Sequence, residues 1–285
     1  MTVLQGILLG ILQGVAEFLP ISSSGHLAVA QKLFKLEDLP LLYDVMLHLA
    51  TLLAVVLFFR KKIWELLKVL GRWIARKEPK ATENEQDFLC GTEERGRRTI
   101  IAIIITTFIT GAIGIFTSKL IPELSIKVTC AGFIITACLL MFSSLWEKLR
   151  LTKQSVAEDK SEKGISWKQA IVVGFMQGVG TLPGISRSGS TIAGSQLCGI
   201  NRAAAGEYSF IVSIPAILGA FVLELKDLGQ MSSMVGTAQL AAGCLSAFVS
   251  GYIALAVLMK IIKKGKLEWF ACYLIPLGIA GLIFF

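Results

Sequence analysis

Residues 10–25 read GILQGVAEFLPISSSG, and residues 174–189 read GFMQGVGTLPGISRSG. At a constant offset of 164 residues, eight of the sixteen positions are identical: Gly10/Gly174, Gln13/Gln177, Gly14/Gly178, Val15/Val179, Ile21/Ile185, Ser22/Ser186, Ser24/Ser188 and Gly25/Gly189. Both copies interrupt apolar sequence with Pro, Gly and hydroxyl residues. In a membrane protein, interrupted segments at matching places in two halves point to a buried polar site between them. The copies differ in what they carry: Glu17 and His26 accompany the first, Arg187 the second. The chain reads as a duplication whose halves have divided the chemistry.

The surrounding composition supplies the membrane. Hydrophobic residues make up 54% of the chain and charged ones 17%, where a soluble domain carries about a quarter. Mean hydropathy is +0.69. Six apolar stretches, 41–59, 99–118, 126–146, 207–225, 236–259 and 267–285, approach the roughly 20 residues that span a hydrocarbon core. Basic residues crowd alternate connections: Arg60 to Arg98 after the first stretch, Lys148 to Lys168 after the third, Lys260 to Lys266 after the fifth. The other connections hold only Lys119 and Lys127, or Lys226. Six spans with both termini outside put every basic segment in the cytoplasm. The net charge of +8 is therefore a matter of topology, and no nucleic-acid partner is expected. The first twenty residues lack a basic n-region and carry Gln5, Gln13 and Glu17, so they are expected to be retained.

Residues 2–36 are broken near Pro20 and residues 167–200 near Pro183. Neither part of either stretch spans comfortably, so each is expected to enter the membrane as a helix–loop–helix and return. Such backbone is tolerated at depth only when buried in protein or lining a wet cavity. Three spans follow each hairpin, and three is odd. The expected fold is an all-α polytopic membrane protein of two inverted-topology repeats, 1–150 and 167–285, joined by a cytoplasmic linker at 151–166, with the hairpin tips meeting near the midplane. Residues 63–75 suit an amphipathic helix in the cytoplasmic interface. Residues 77–98 and 152–164 read as solvated linkers. The six cysteines lack metal spacing, and five lie in apolar segments where Cys is a small hydrophobe.

Ionisable groups at membrane depth are functional candidates by default. Ser22-Ser23-Ser24-Gly25 and Ser186-Arg187-Ser188 open new helices, so their hydroxyls are natural N-caps. Two helix N-termini meeting, with the Arg187 guanidinium, suit a pyrophosphate. Glu17 stands four residues after Gln13 on one helix face. The pair suits a divalent cation such as Mg²⁺ or Ca²⁺, Glu17 alone suits a general base, and an ion pair with Arg187 is the structural alternative. His26 suits a nucleophile, a general acid or the orienter of a serine. Asp44 and His48 share a helix face and are weaker candidates, while Glu207 and Glu224 sit near the ends of their span.

QGVAEFLPISSSGHL together with LPGISRSGSTI resembles the undecaprenyl-diphosphate phosphatase family linked to bacitracin resistance. The likeness extends to DVMLHLATLLAVVLFFRK at 44–61 and EYSF at 207–210. It implies hydrolysis of the C55 isoprenoid diphosphate to its monophosphate, recycling the lipid carrier of peptidoglycan precursors in the bacterial cytoplasmic membrane. It also implies catalytic roles for Glu17, His26 and Arg187, with Ser23, Ser186, Ser188 and Thr191 lining the phosphate site. Between Ser23 and His26 as attacking group the resemblance does not choose. Members often carry Glu where this chain has Gln13, so a cation held by two carboxylates is not expected here. A second copy of the chain is a candidate partner.

Two rivals stand beside this reading. The type 2 phosphatidic acid phosphatases need S-R-x5-H-x3-D, but counting from Ser186 those positions hold Ala193 and Leu197. A lipid-phosphate or anion transporter would use the same repeat architecture. It has little use for the base that Glu17 and His26 offer.

Overall fold

Each copy of the repeat starts on the same device. Thr2 caps helix α1 (Val3–Phe18) and Ser166 caps α7 (Trp167–Val179), and in both a Gln at the third helical position closes a capping box. Gln5 and Gln169 lie at the same 164-residue offset as the tips, so the likeness reaches back to the helix starts. The computed structural model describes residues 1–36, 38–77, 87–120, 125–153, 164–225 and 235–285. Among them the remaining helices are α2 (Ser23–Leu33), α3 (Leu41–Phe58), α4 (Arg60–Ile74), α5 (Glu93–Leu120), α6 (Ile126–Lys153), α8 (Arg187–Leu197), α9 (Arg202–Glu224), α10 (Thr237–Lys264) and α11 (Trp269–Phe284).

Helices α3, α5, α6, α9 and α10 are long and apolar enough to cross a membrane. The expected sixth span corresponds to α11, which is apolar but has 16 residues. That is about 24 Å of helix against a core of about 30 Å. Phe108 and Ile104 stand 77% and 61% exposed on α5, an arrangement that lipid satisfies and water does not. The protein is a polytopic, all-helical membrane protein.

The hairpins form as the interruptions dictate. Leu19 precedes Pro20 and takes the extended backbone that a following proline imposes, ending α1. Ser22 and Ser186 then cap α2 and α8, their Oγ atoms accepting from the N–H of Gly25 and Gly189 at 3.3 and 3.0 Å. Helix seating rests on small residues. Gly6, Gly10 and Gly14 of α1 lie against Gln239, Gly243 and Ala247 of α10, and Ser246 Oγ donates to Ile7 O at 3.1 Å. On the other side Gly174 and Gly178 of α7 meet Thr106 and Ile113 of α5. There Thr106 and Thr110 donate to Ala170 O and Gly174 O at 2.9 and 3.2 Å. Close backbones and such hydrogen bonds are how helices associate where water offers no drive. The first helix of each half thus runs along, and parallel to, the second long helix of the other half.

Two expectations about accessory segments fare differently. The expected helix at 63–75 is α4, which buries Leu66 and Val69 and leaves Trp64, Leu67 and Ile74 exposed. The reading of 77–98 as solvated does not hold for its described part. Leu89 is fully buried, Thr99 Oγ1 donates to its carbonyl at 2.7 Å, and α5 already starts at Glu93. Glu93 is buried between Arg72 and Arg97, at 2.8 and 3.1 Å. The charged residues pair with one another, which is why composition alone misread them. Residues 78–86, 37, 121–124, 226–234 and most of the 152–164 linker lie outside the described residues.

Lys62 makes a similar knot, bridging Glu207 and Asp87, the latter at 2.9 Å. Burial alone would raise the Asp87 carboxyl. The Lys62 ammonium and the N–H groups of Leu89 and Cys90 outweigh it and hold Asp87 below its ordinary range. Stability from this pair is full above the unfolded value of about 3.9 and is lost as pH falls through the lowered folded value. Melting temperature in detergent should therefore drop on acidification, and Lys62→Met should flatten that drop. An unchanged acid slope would count against the pairing.

Candidate active site

The two hairpin tips meet. A Cβ on Gly189 would stand 3.2 Å from Pro20, and one on Gly25 would stand 3.2 Å from Gly184. Between the tips Glu17, at the last turn of α1, is the hub. Arg187, the first residue of α8, donates to Glu17 Oε1. Ser23, the first residue of α2, donates to Glu17 Oε2 at 2.6 Å, and Gln13 Nε2 donates to the same oxygen at 3.2 Å. His48 Nε2, from α3, lies 3.3 Å from Oε2. The Glu17 side chain is 8% exposed and Arg187 is 20% exposed. Such a carboxylate is sustained only by this many donors and cations.

A cavity opens beside the pair. Its polar side is Glu17, Arg187, Ser188, Thr191, Thr51, Ser209 and Ser213, and its apolar side is Phe18, Leu52, Val55, Phe210 and Ile217. Thr191 Oγ1 donates back to helix carbonyls of α8 and pairs with Ser209 Oγ. The N-terminus of α8, with its free N–H groups and the Arg187 side chain, supplies positive potential at this place. Apolar wall beside cationic floor is the mixture an amphipathic anion requires.

The expected residues therefore divide. Gln13, Glu17, Ser23 and Arg187 converge, and of these Glu17 and Arg187 line the cavity together with Ser188 and Thr191. Ser22 and Ser186 spend their hydroxyls on capping, Gly25 packs on Phe133, and Ser24 is exposed. His26 faces elsewhere. Its Nδ1 meets Ser22 O at 2.8 Å and its Nε2 meets Tyr273 OH at 2.9 Å, with the rings of Phe133 and Tyr273 around it. A carbonyl only accepts, so Nδ1 carries the proton and Tyr273 donates to Nε2.

His26 thereby clamps a corner. Ser22 has φ 71°, the left-handed region that a non-glycine residue adopts only when held there. Both the backbone N–H and the ring of His26 bond its carbonyl. The residue after that corner is Ser23. Asp44 and His48 do not pair through their side chains: Asp44 Oδ1 accepts from Gln31 Nε2 at 2.7 Å, while His48 turns to Glu17. Thr51, Ser209, Ser213 and Tyr273 were not singled out in the sequence. Their signal was a hydroxyl inside an apolar span, which is common in helices that merely pack.

The donor set tests the cation. Every group around Glu17, namely guanidinium, imidazole, hydroxyl and amide N–H, presents a donor or a positive charge to it. Among the described residues, the one further buried side-chain oxygen beside it without a partner is Gln13 Oε1. In this arrangement Gln13 and Glu17 do not fit Mg²⁺ or Ca²⁺, which take six or more oxygen ligands.

The chain is similar to known proteins over nearly its whole length. A family model described as bacitracin resistance protein BacA matches residues 6–280. A relative from Treponema denticola named undecaprenyl-diphosphatase is 45% identical over 285 residues, covering 100% of this chain and 98% of that protein. Relatives of the same name from Borrelia recurrentis and Desulfatibacillum aliphaticivorans are 35% and 39% identical, covering 99% and 98% of this chain and 98% of each relative.

Proposed function

The chain belongs to the BacA family of bacitracin resistance proteins, and from that membership and the hub at Glu17 we infer that it is an undecaprenyl-diphosphatase. It hydrolyses undecaprenyl diphosphate to the monophosphate and inorganic phosphate, serving peptidoglycan synthesis and bacitracin resistance. The observation that carries a mechanism is the 2.6 Å hydrogen bond from Ser23 Oγ to Glu17 Oε2.

In the reading we propose, Ser23 is the attacking group. Glu17 takes its proton as Oγ bonds to the terminal phosphorus and passes it to the bridging oxygen as that P–O bond breaks to release the lipid monophosphate. Water then attacks the phosphoseryl group, Glu17 removes a proton from it and returns that proton to Ser23 Oγ as the Ser23–phosphorus bond breaks to give phosphate. Arg187 and the α8 N–H groups neutralise the charge that develops on phosphorus oxygens. His26 positions Ser23 through the Ser22 corner. The isoprenoid lies against the apolar wall of Leu52, Val55 and Ile217.

The same proposal covers topology. The exchanged seating of α1 and α7 supports two inverted repeats, with α11 as a short sixth span. The basic connections put both termini outside.

The test is phosphate release from undecaprenyl diphosphate by purified protein in detergent, where no gradient exists to dissipate. Glu17→Ala and Arg187→Ala should each lose about 10³-fold. His26→Ala should lose less, about tenfold, because Ser23 and Glu17 remain. A Glu17→Ala variant that keeps full turnover would sink the assignment.

A further inference from the structure

His48 stands outside the mechanism above, yet its geometry is specific. Its Nδ1 lies 2.7 Å from the Asp44 carbonyl oxygen, which can only accept. Its Nε2 lies 3.3 Å from Glu17 Oε2, a carboxylate oxygen that also prefers a donor. With Nδ1–H on the Asp44 carbonyl, a proton on Nε2 makes the ring a cation that faces the Glu17 carboxylate. One turn on, Thr51 Oγ1 donates to the His48 carbonyl at 2.8 Å, fixing the helix at the cavity wall. The charged or titratable groups that face the ring are Glu17 on α1 and Arg187 on α8, with Asp44 on its own helix.

The two cations divide the carboxylate between them. Arg187 holds Oε1, whereas His48, Ser23 and Gln13 gather at Oε2. In the resting site Arg187 therefore has a partner that competes with any phosphate. A diphosphate entering the cavity needs that guanidinium, because among the described residues Arg187 is the cation that lines it. Once Arg187 turns to phosphate, Glu17 would be left buried without its strongest counter-ion, at a large cost in free energy. The imidazolium of His48 remains, on the oxygen that must receive the Ser23 proton.

We propose that His48 is a positioning residue that keeps Glu17 ionised and aimed at Ser23 when the substrate's diphosphate draws Arg187 away. It touches neither phosphorus nor its oxygens; it acts through Glu17. The inference rests on the phosphatase reading above.

The experiment is steady-state phosphate release from undecaprenyl diphosphate by wild type, His48→Leu and His48→Gln, with melting temperatures measured alongside. His48→Leu should lower kcat about 30- to 100-fold and leave KM within about threefold. His48→Gln restores a neutral N–H toward Oε2 and should recover about tenfold of that loss. A role confined to packing predicts the reverse, since Leu suits an apolar helix better than Gln. Equal impairment of both variants with lowered melting temperature would overturn the proposal, as would wild-type kcat in His48→Leu or a loss confined to KM. A wild type that releases no phosphate would instead overturn the phosphatase reading itself, so the two failures are distinguishable.

Discussion

Ser23→Ala should reduce phosphate release on the order of 10³-fold or more, with melting temperature unchanged within a degree or two. Among the described residues Ser23 is the only hydroxyl hydrogen-bonded to Glu17, and its neighbours Ser22 and Ser24 are committed to a cap or exposed. Removing one Oγ deletes the attacking atom and leaves the cap of α2 intact, so the fold has no reason to change. The decisive contrast is with His26→Ala. If Ser23→Ala kept more than a tenth of wild-type turnover while His26→Ala lost all of it, the attacking group would be His26.

The largest effect on stability is expected at the second tip. Gly184 has φ +84°, and a Cβ there would stand 2.7 and 2.9 Å from the carbonyl carbon and Cα of Thr129 on α6. From the opposite side, a Cβ on Gly132 would come 2.6 Å from the Gly184 carbonyl carbon. Loop and helix meet backbone to backbone, and Thr136 Oγ1 accepts from Ser186 N–H across the same contact at 3.0 Å. Gly184→Ala combines a left-handed backbone with an overpacked contact, together about 3 kcal/mol or more. We expect poor yield of folded protein and early thermal aggregation in detergent. Gly111→Ala and Gly114→Ala are the controls. Nothing lies within 4 Å of a Cβ at either, and they should be neutral or gain up to about 1 kcal/mol from helix propensity. A Gly184→Ala protein as stable as these controls would refute the tight contact.

These sites also mark what sequence patterning reveals. The repeated stretch carried the hairpins, the caps at Ser22 and Ser186, and the meeting of Glu17 with Arg187, because serine caps, proline breaks and buried charges act locally. The exchange of first helices was not legible. Gly6, Gly10 and Gly14 announce that some backbone comes close, but not that it belongs to α10. His26 is legible only in part: its place beside three serines shows in the sequence and its ring meets Ser22 O, whereas its other partner, Tyr273, is 247 residues away. His48 is the converse case, a residue of a different segment that folding brings to Glu17. Pairing among charges hid in the same way, as Glu93 between Arg72 and Arg97 shows.

The exchanged seating of α1 and α7 has a consequence for biosynthesis. When α1 emerges from the ribosome its groove on α10 is more than two hundred residues from being made. Arg187 is likewise absent when Glu17 first enters the bilayer, so the nascent carboxylate waits without its cation. The seat of α1 is complete only when translation has passed Lys264, the end of α10. A chain truncated before that point carries its base and its serine but has no seat for the helix that presents them. A chain that ends before α10 is therefore expected to be inert.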